Sequence, residues 1–316
     1  MTRTRLFFAT DIHGSETCFL KFLNAQRLYK ANVMVLGGDL SGKTLVPIVE
    51  REDGVFEVNF LGVHRVLQEA EIGALEGQIK SMGSYPYRAD RETFDKLSVD
   101  SRALGDLFSR LIAERLKRWI ELAEEKLDGS GAEVYISGGN DDQPFVEDLL
   151  RRSNAFIDPE MEIVKVRDNY EMITCAWTNP TPWHTSREAS EEELTGKLDR
   201  MASGVMAVES CIFNIHVPPI DSGLDLSQKL DESLRPIFSG GQPVMFGAGS
   251  RAVRAAIERY QPLLGLHGHI HESRGASRIG RTLCLNPGSE YAETILRGVI
   301  VDLDTNQVKS YLFSSG

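Results

Sequence analysis

The chain is poor in the features that mark several protein classes. Its 316 residues include four cysteines, Cys18, Cys175, Cys211 and Cys284, none in a Cys-x-x-Cys spacing. That disfavours a disulfide framework or a thiolate metal site and leaves buried, reduced thiols as the expectation. No apolar run is long enough to span a membrane, and the first strand-like run, Leu6–Ala9, which follows only a few polar residues, is too short an apolar run for a signal peptide. A cytoplasmic location without a membrane partner is expected. Basic residues are in deficit, 35 Lys and Arg against 46 Asp and Glu, a formal net charge of −11. Broad electrostatic attachment to duplex nucleic acid is therefore disfavoured, and any phosphate must be met locally. No Pro/Gly/Ser-rich linker, repeat or low-complexity tract divides the chain, so one domain over residues 1–316 is expected.

What the chain does have is a rhythm of short apolar runs. Strands are expected at Leu6–Ala9, Val33–Leu36, Val134–Ile136, Met172–Ala176, Cys211–Ile215, Leu263–Leu266, Thr282–Leu285 and Val299–Leu303. Helical spacing over Ser15–Tyr29 sets Phe19, Phe22, Leu23 and Leu28 on one stripe, and Ser190-Glu-Glu-Glu193 reads as a capping box. Residues 43–131 interrupt this rhythm as an insertion. A hairpin is expected at Leu45–Glu50 and Val55–Phe60 around Asp53-Gly54, then two amphipathic helices at about His64–Met82 and Ser101–Leu127. Leu104, Leu107, Phe108, Leu111 and Ile112 recur at helical spacing in the second. Such a face serves as structural cover or as a contact in a homo-oligomer, and periodicity does not choose between them.

Five of these runs end in side chains that bind metals: Asp11-Ile-His13, Gly38-Asp39, Gly139-Asn140-Asp141, Ile215-His216 and Gly268-His269-Ile270-His271. In layered α/β folds the carboxyl ends of central strands gather into a site. Asp11, Asp39 and Asn140 with four imidazoles suffice to give two divalent ions four protein ligands each if one carboxylate bridges them. Asp11 and His13 are expected to face one side of an extended turn. The paired glycines before Asp39 and Asn140 let backbone and metal approach closely. Hard and borderline N/O donors without cysteine suit manganese, iron or zinc, with manganese favoured.

The ordered set D-x-H, GD, GN-D, H and GH-x-H resembles that of the calcineurin-like metallophosphoesterase superfamily, over nearly the whole chain. Asn179-Pro-Thr-Pro-Trp-His-Thr-Ser-Arg-Glu188, Gly249-Ser-Arg-Ala-Val-Arg254 and Asn286-Pro-Gly-Ser-Glu-Tyr291 resemble a microbial branch of phosphoesterases related to cyclic-nucleotide phosphodiesterases. The resemblance implies an α/β fold, a four-layer α-β-β-α sandwich of two mixed sheets with the hairpin-plus-helical insertion. It implies one metal held by Asp11, His13 and His271, a second by Asn140, His216 and His269, and Asp39 bridging. The implied activity is hydrolysis of a small phosphoester, a phosphodiester before a monoester and a nucleotide among the candidates, by a hydroxide bridging two metal ions. Asp39, Asn140, Asp141 and His216 are the residues it assigns to catalysis.

Asp141 stands where the family usually has histidine. An ordinary aspartate is ionised at pH 7 and has no proton to give unless burial or Asp142 raises its pKa; orienting a ligand histidine is the alternative role. His184, in a Pro-rich loop, Arg251 and Arg254, at a helix start suited to phosphate, Arg274, and Asn286-Pro-Gly-Ser289 are further candidates for the rim, with solvated, ion-paired or turn roles as the plainer readings. His64 is given a structural role. The competing function is a non-catalytic, metal-binding scaffold or ligand-binding module that has kept the phosphoesterase shell.

Overall fold

Apolar runs without polar alternation, such as Leu6–Ala9 and Val33–Leu36, need cover on both faces. The computed structural model, which describes residues 4–316, supplies that cover with two sheets and two helical layers. The first half of the chain forms β1 (Thr4–Ala9), α1 (Glu16–Tyr29), β2 (Val33–Gly37), β3 (Leu45–Glu50), β4 (Phe56–Phe60), β5 (Val63–Leu67), α2 (Glu69–Ser81), β6 (Tyr85–Asp90), α3 (Arg91–Val99), α4 (Ser101–Leu127), β7 (Glu133–Ser137) and α5 (Phe145–Leu150). The second half begins with β8 (Ile163–Val166), β9 (Tyr170–Cys175), α6 (Glu191–Ala202), β10 (Cys211–Ile215), β11 (Leu226–Gln228), β12 (Phe238–Ser239), β13 (Gln242–Pro243) and β14 (Met245–Gly247). It closes with α7 (Arg251–Tyr260), β15 (Leu264–Leu266), β16 (Gly275–Ile279), β17 (Thr282–Asn286), β18 (Arg297–Asp304) and β19 (Gln307–Ser315).

One sheet has the order β19-β18-β1-β2-β7 and the other β16-β17-β15-β10-β9-β8. Both are mixed: β1, β2 and β7 run parallel, as do β9, β10, β15 and β17, with antiparallel strands outside them. Side-chain alternation assigns the layers. Leu6 and Phe8 of β1 meet Met172, Ile212, Leu264 and Leu285 between the sheets. Phe7 and Ala9 point the other way, into a cluster with Phe22 of α1 and Trp119 of α4, and Phe19 stacks on Trp119 at 4.3 Å between ring centroids. Each such buried side chain contributes about 1.5–3 kcal/mol relative to exposure. The outer face of the second sheet, with Ile173, Phe213 and Ile215, is closed by Leu194 and Leu198 of α6 and Val253 and Ile257 of α7. The four cysteines are free and buried, and no described helix is long and apolar enough to cross a membrane.

The expected strands and the helix α1 lie where the apolar runs place them, and Ser190 caps α6 in a capping box with Glu193. Leu28 departs from the stripe, being 70% exposed. It lies nine residues from Phe19, about 180° around a helix, on the opposite face.

Residues 43–131 hold more strand than expected. The hairpin β3–β4 forms, but His64 belongs to β5, paired with Asn59, and the helix begins only at Glu69. Leu61 and Gly62 both adopt positive φ, 54° and 74°, a two-residue turn that returns β4 into β5. Together with β6 these strands form a four-stranded sheet covered by Ile72, Leu75 and Ile79 of α2. Helix α3 was also not evident in the sequence, because its nine residues bury no side chain fully.

Candidate metal centre

The singled-out residues follow the carboxyl ends of β1, β2 and β7 in one sheet and of β10 and β15 in the other. Backbone bonds lace these loops together: Asp11 N–H donates to Gly38 O at 3.0 Å, His13 N–H to Asp39 O at 2.9 Å, and Gly268 N–H to His216 O at 2.9 Å. The turn after β1 is not extended as expected. Asp11, His13, Asp39 and His269 all adopt left-handed backbone, with φ of 53°, 37°, 49° and 64°. Asp and His tolerate this region better than most residues, and each such residue costs about 1–2 kcal/mol, which the interloop bonds offset. Gly38, at φ 118°, has no room for a side chain, since a Cβ there would lie 2.5 Å from His216 Nδ1. A Cβ on Gly139 or Gly268 would collide with the carboxylates of Asp39 and Asp11 respectively.

Two triads converge, each with ligand atoms within 4.8 Å of one another: Asp11, His13 and His271, and Asp39, His216 and His269. Asp39 joins them, its Oδ2 lying 3.6 Å from His13 Nε2 and 3.4 Å from His216 Nε2. Asp11 Oδ1 lies 3.4 Å from His271 Nε2, and the His13 and His271 Nε2 atoms are 3.0 Å apart. Asn140, Asp11, His13, Asp39 and His216 are buried. A third triad unites His13, Asp39 and Asp141.

The surrounding shell aims these donors. His216 Nδ1 faces Gly37 O at 3.0 Å, which leaves Nε2 buried, facing the carboxylates of Asp39 and Asp11 with no hydrogen-bond partner among the described residues. Asn140 Nδ2 donates to Thr185 Oγ1 at 2.9 Å, and its Oδ1 is likewise buried and unpartnered. Asp11 accepts from Thr10 Oγ1 at 2.8 Å and from the His269 N–H at 3.0 Å. Asp142 is a clamp: it accepts the N–H groups of Leu40, Ser41 and Gly139 at 2.8–2.9 Å, tying the β2 and β7 loops. Unpartnered donors aimed among buried carboxylates are what a divalent cation requires, so the residues present fit a metal pair.

Electrostatics agree with that fit. Burial opposes charge on Asp11 and Asp39, yet His216 leads the neighbours that hold both below the usual carboxylate range. Burial likewise opposes charge on His216, but Asp39 and Asp11 raise it to about 10. A proton on His216 thus balances the same carboxylates that a cation would balance. Burial lowers His13 to about 3 and His269 to about 4, keeping their rings neutral and able to donate lone pairs. Asp141 is raised to about 6, by burial first and Asp39 second, against the pull of Lys43; Asp142 adds only a smaller push.

Lys43 is absent from the sequence reading, although it stands four residues after Asp39. Its ammonium pairs with Asp141 Oδ2, which lies 3.9 Å from His13 Nδ1. Tyr291 was also missed as a site residue; its ring lies 4.7 Å from that of His13. The Asn286–Ser289 turn does close the wall, with Asn286 Nδ2 donating to Ile270 O at 3.0 Å and Ser289 Oγ to Asp11 O at 2.6 Å. Other candidates lie elsewhere in role. The N-terminus of α7 is already filled by the Glu191 carboxylate, which accepts the N–H groups of Arg251 and Ala252 at 3.0 and 2.8 Å, so it does not offer itself to phosphate. Arg254 pairs with Glu258 at 2.8 Å, Arg274 lies 4.9 Å over the Phe313 ring, and His184 and His64 are exposed.

No family model matches the chain. An uncharacterised protein of Methanocaldococcus jannaschii, MJ1162, is 30% identical over 157 residues, 49% of this chain and 63% of that protein, so the match spans less than two thirds of the relative. Among solved structures, TT1561 of Thermus thermophilus superposes with a TM-score of 0.54 at 12% identity, covering 100% of this chain and 99% of its own. A novel archaeal phosphodiesterase is more distant, with a TM-score of 0.42 at 11% identity, covering 99% of this chain and 100% of its own. With two mixed sheets enclosed by helices and the ligand-type residues gathered at their strand ends, the chain shares its mixed α/β fold with TT1561 over essentially the full length of both.

Proposed function

We propose that this protein is a dinuclear-metal phosphoesterase that hydrolyses a phosphodiester. The observation that carries the reading is the shared position of Asp39, within 3.6 Å of His13 Nε2 and 3.4 Å of His216 Nε2, between two triads of buried and half-buried ligand-type side chains. Asp11, His13 and His271 would hold one ion, Asn140, His216 and His269 the other, and Asp39 both. Manganese, iron or zinc suits this oxygen and nitrogen set, with manganese favoured. A bound pair would supply Lewis acidity and would lower the pKa of water towards neutrality.

The chain's own residues then have separable tasks. Gly37 O fixes the His216 ring so that Nε2 faces the centre, and Thr185 does the same for the Asn140 carboxamide. The Lys43 ammonium, held by Asp141, adds a positive charge beside the centre that suits a phosphoryl oxygen. Asp141 therefore serves first as the anchor of Lys43. The net charge of −11 supports a small substrate, a nucleotide diester among the candidates, over duplex nucleic acid. A non-catalytic scaffold differs from this reading in one respect, the absence of turnover. Metal-dependent hydrolysis of bis-p-nitrophenyl phosphate is the test, and two bound ions with no turnover on any ester would favour the scaffold.

A further inference from the structure

Two cavities of similar size reach the metal-type residues, one at His269 and the other at Lys43. One, of about 530 Å³, starts at His269 and has a mixed lining, with Asn179, Lys229 and Arg251 among Trp183, Leu230 and Phe246. The other, of about 540 Å³, starts at Lys43 and runs beneath Leu45, Pro47, Tyr87, Phe94, Leu97 and Phe108. Lys43 is the only charged group among the described residues lining it. Both volumes are in the range that houses a small organic ligand, roughly 300–1,000 Å³.

The second cavity is unusual in what surrounds it. Helix α3 buries none of its side chains fully, although Phe94 and Leu97, three apart, point at the cavity from one side. Leu104 and Phe108, four apart on α4, face it from another, and Leu104 is 41% exposed. An apolar occupant here would complete a face left half-wet. At the inner end of this apolar wall Lys43 reaches Asp141, which places a single positive charge where the cavity meets the centre. Charge at one end and apolar surface behind it match a phosphate that carries an apolar substituent. A monoester has one arm; a diester has two, and two cavities reach this centre, one with a single charged group in its lining and the other with several.

We propose that the substrate is a phosphodiester with an apolar chain or ring system seated in the cavity behind Lys43 and a polar arm directed past His269 toward Trp183. The inference rests on the phosphoesterase reading and narrows it to a substrate class. Hydrolysis of such a diester breaks one P–O ester bond, forms one P–O bond to the oxygen of water, and returns the water proton to the departing alcohol.

Gly105 provides the test. It lies on α4 in the cavity lining, and a Cβ there meets no atom within 4 Å, so Gly105→Trp fills the cavity from a helical position where replacing glycine favours the helix. Binding of n-alkyl phosphonates from methyl to octyl is measured by calorimetry with and without manganese. Turnover of the corresponding alkyl p-nitrophenyl phosphates is measured beside it. Affinity and kcat/KM are expected to rise about fourfold per buried methylene in the native protein, from the transfer free energy of a CH₂ group. Both slopes are expected to flatten in Gly105→Trp, with the methyl ester turned over as before. Chain-length independence, or an unchanged slope in Gly105→Trp, overturns the apolar arm. If the methyl ester is still hydrolysed in that case, the phosphoesterase reading survives; if no ester is hydrolysed at all, both fall.

Discussion

Thr185 accepts a hydrogen bond from Asn140 Nδ2 at 2.9 Å while its own hydroxyl and N–H are committed to Glu188, at 2.9 and 2.7 Å. The direction of the whole chain is thereby fixed. Glu188 can only accept, so Thr185 must donate to it, so Asn140 must present its amide group to Thr185 and its oxygen to the centre. The loop that carries this relay, Asn179–Glu188, drew attention in the sequence through its resemblance to one branch of phosphoesterases. Through Thr185 it orients the Asn140 carboxamide.

Thr185→Val removes the acceptor and leaves the shape of the side chain. Activity and affinity for the second ion are expected to fall by about 10–100-fold, the usual cost of losing an outer-shell partner. Circular dichroism should be unchanged, and Thr185→Ser should restore most of the loss. A Thr185→Val protein with native metal affinity would show that Asn140 is oriented by something else.

The Gly138-Gly139 pair leads to a second prediction. A Cβ on Gly139 would overlap the Asp39 carboxylate, whereas nothing lies within 4 Å of a Cβ on Gly196, in α6. Gly139→Ala should therefore destabilise the protein by about 1–3 kcal/mol, as overpacking of a rigid site does. It should also displace Asp39 enough to abolish paired metal binding. Gly196→Ala, as the comparison, should do neither. Denaturant unfolding and metal analysis of the two variants measure both effects.

Glu160 gives a pH dependence that is separate from the centre. Its Oε1 is buried and unpartnered among the described residues, and Oε2 accepts the Ala176 N–H at 2.9 Å. Burial raises the carboxyl from 4.5 to about 8, despite that hydrogen bond. The folded state then binds more protons than the unfolded state across this window, so stability falls as pH rises through it, by up to about 1.4 kcal/mol per pH unit. Glu160→Gln cannot ionise, and its stability relative to the native protein should improve between pH 5 and pH 8. Parallel unfolding curves for the two proteins at both pH values would reject the assignment.

How much of this was legible beforehand depends on which physical signal each part leaves. Strands buried on both faces leave continuous apolar runs, and β1, β2 and β10 stand where Leu6–Ala9, Val33–Leu36 and Cys211–Ile215 place them. The residues brought together at the centre were legible because Asp, Asn and His directly after such runs have few other reasons to recur in that order. The hairpin from β4 to β5 was missed because the Leu61-Gly62 turn carries only one residue of turn type, and its strand reads as the start of a helix. Helix α3 leaves only the short apolar pair Phe94 and Leu97, since it borders a cavity and buries no side chain fully. Lys43 was invisible for another reason: a lysine in a loop is ordinarily solvated, and only the fold brings it to Asp141. The left-handed turns at Asp11 and His13 have no sequence signal beyond residue types that tolerate them.

The role proposed for Asp39 is to serve two metal ions at once in the hydrolysis of a phosphodiester. Metal-stripped protein, reloaded with manganese, should bind two ions per chain and turn over bis-p-nitrophenyl phosphate faster than p-nitrophenyl phosphate. Asp39→Ala, treated identically, should lose paired binding and activity together. Full diester turnover in Asp39→Ala would contradict the account.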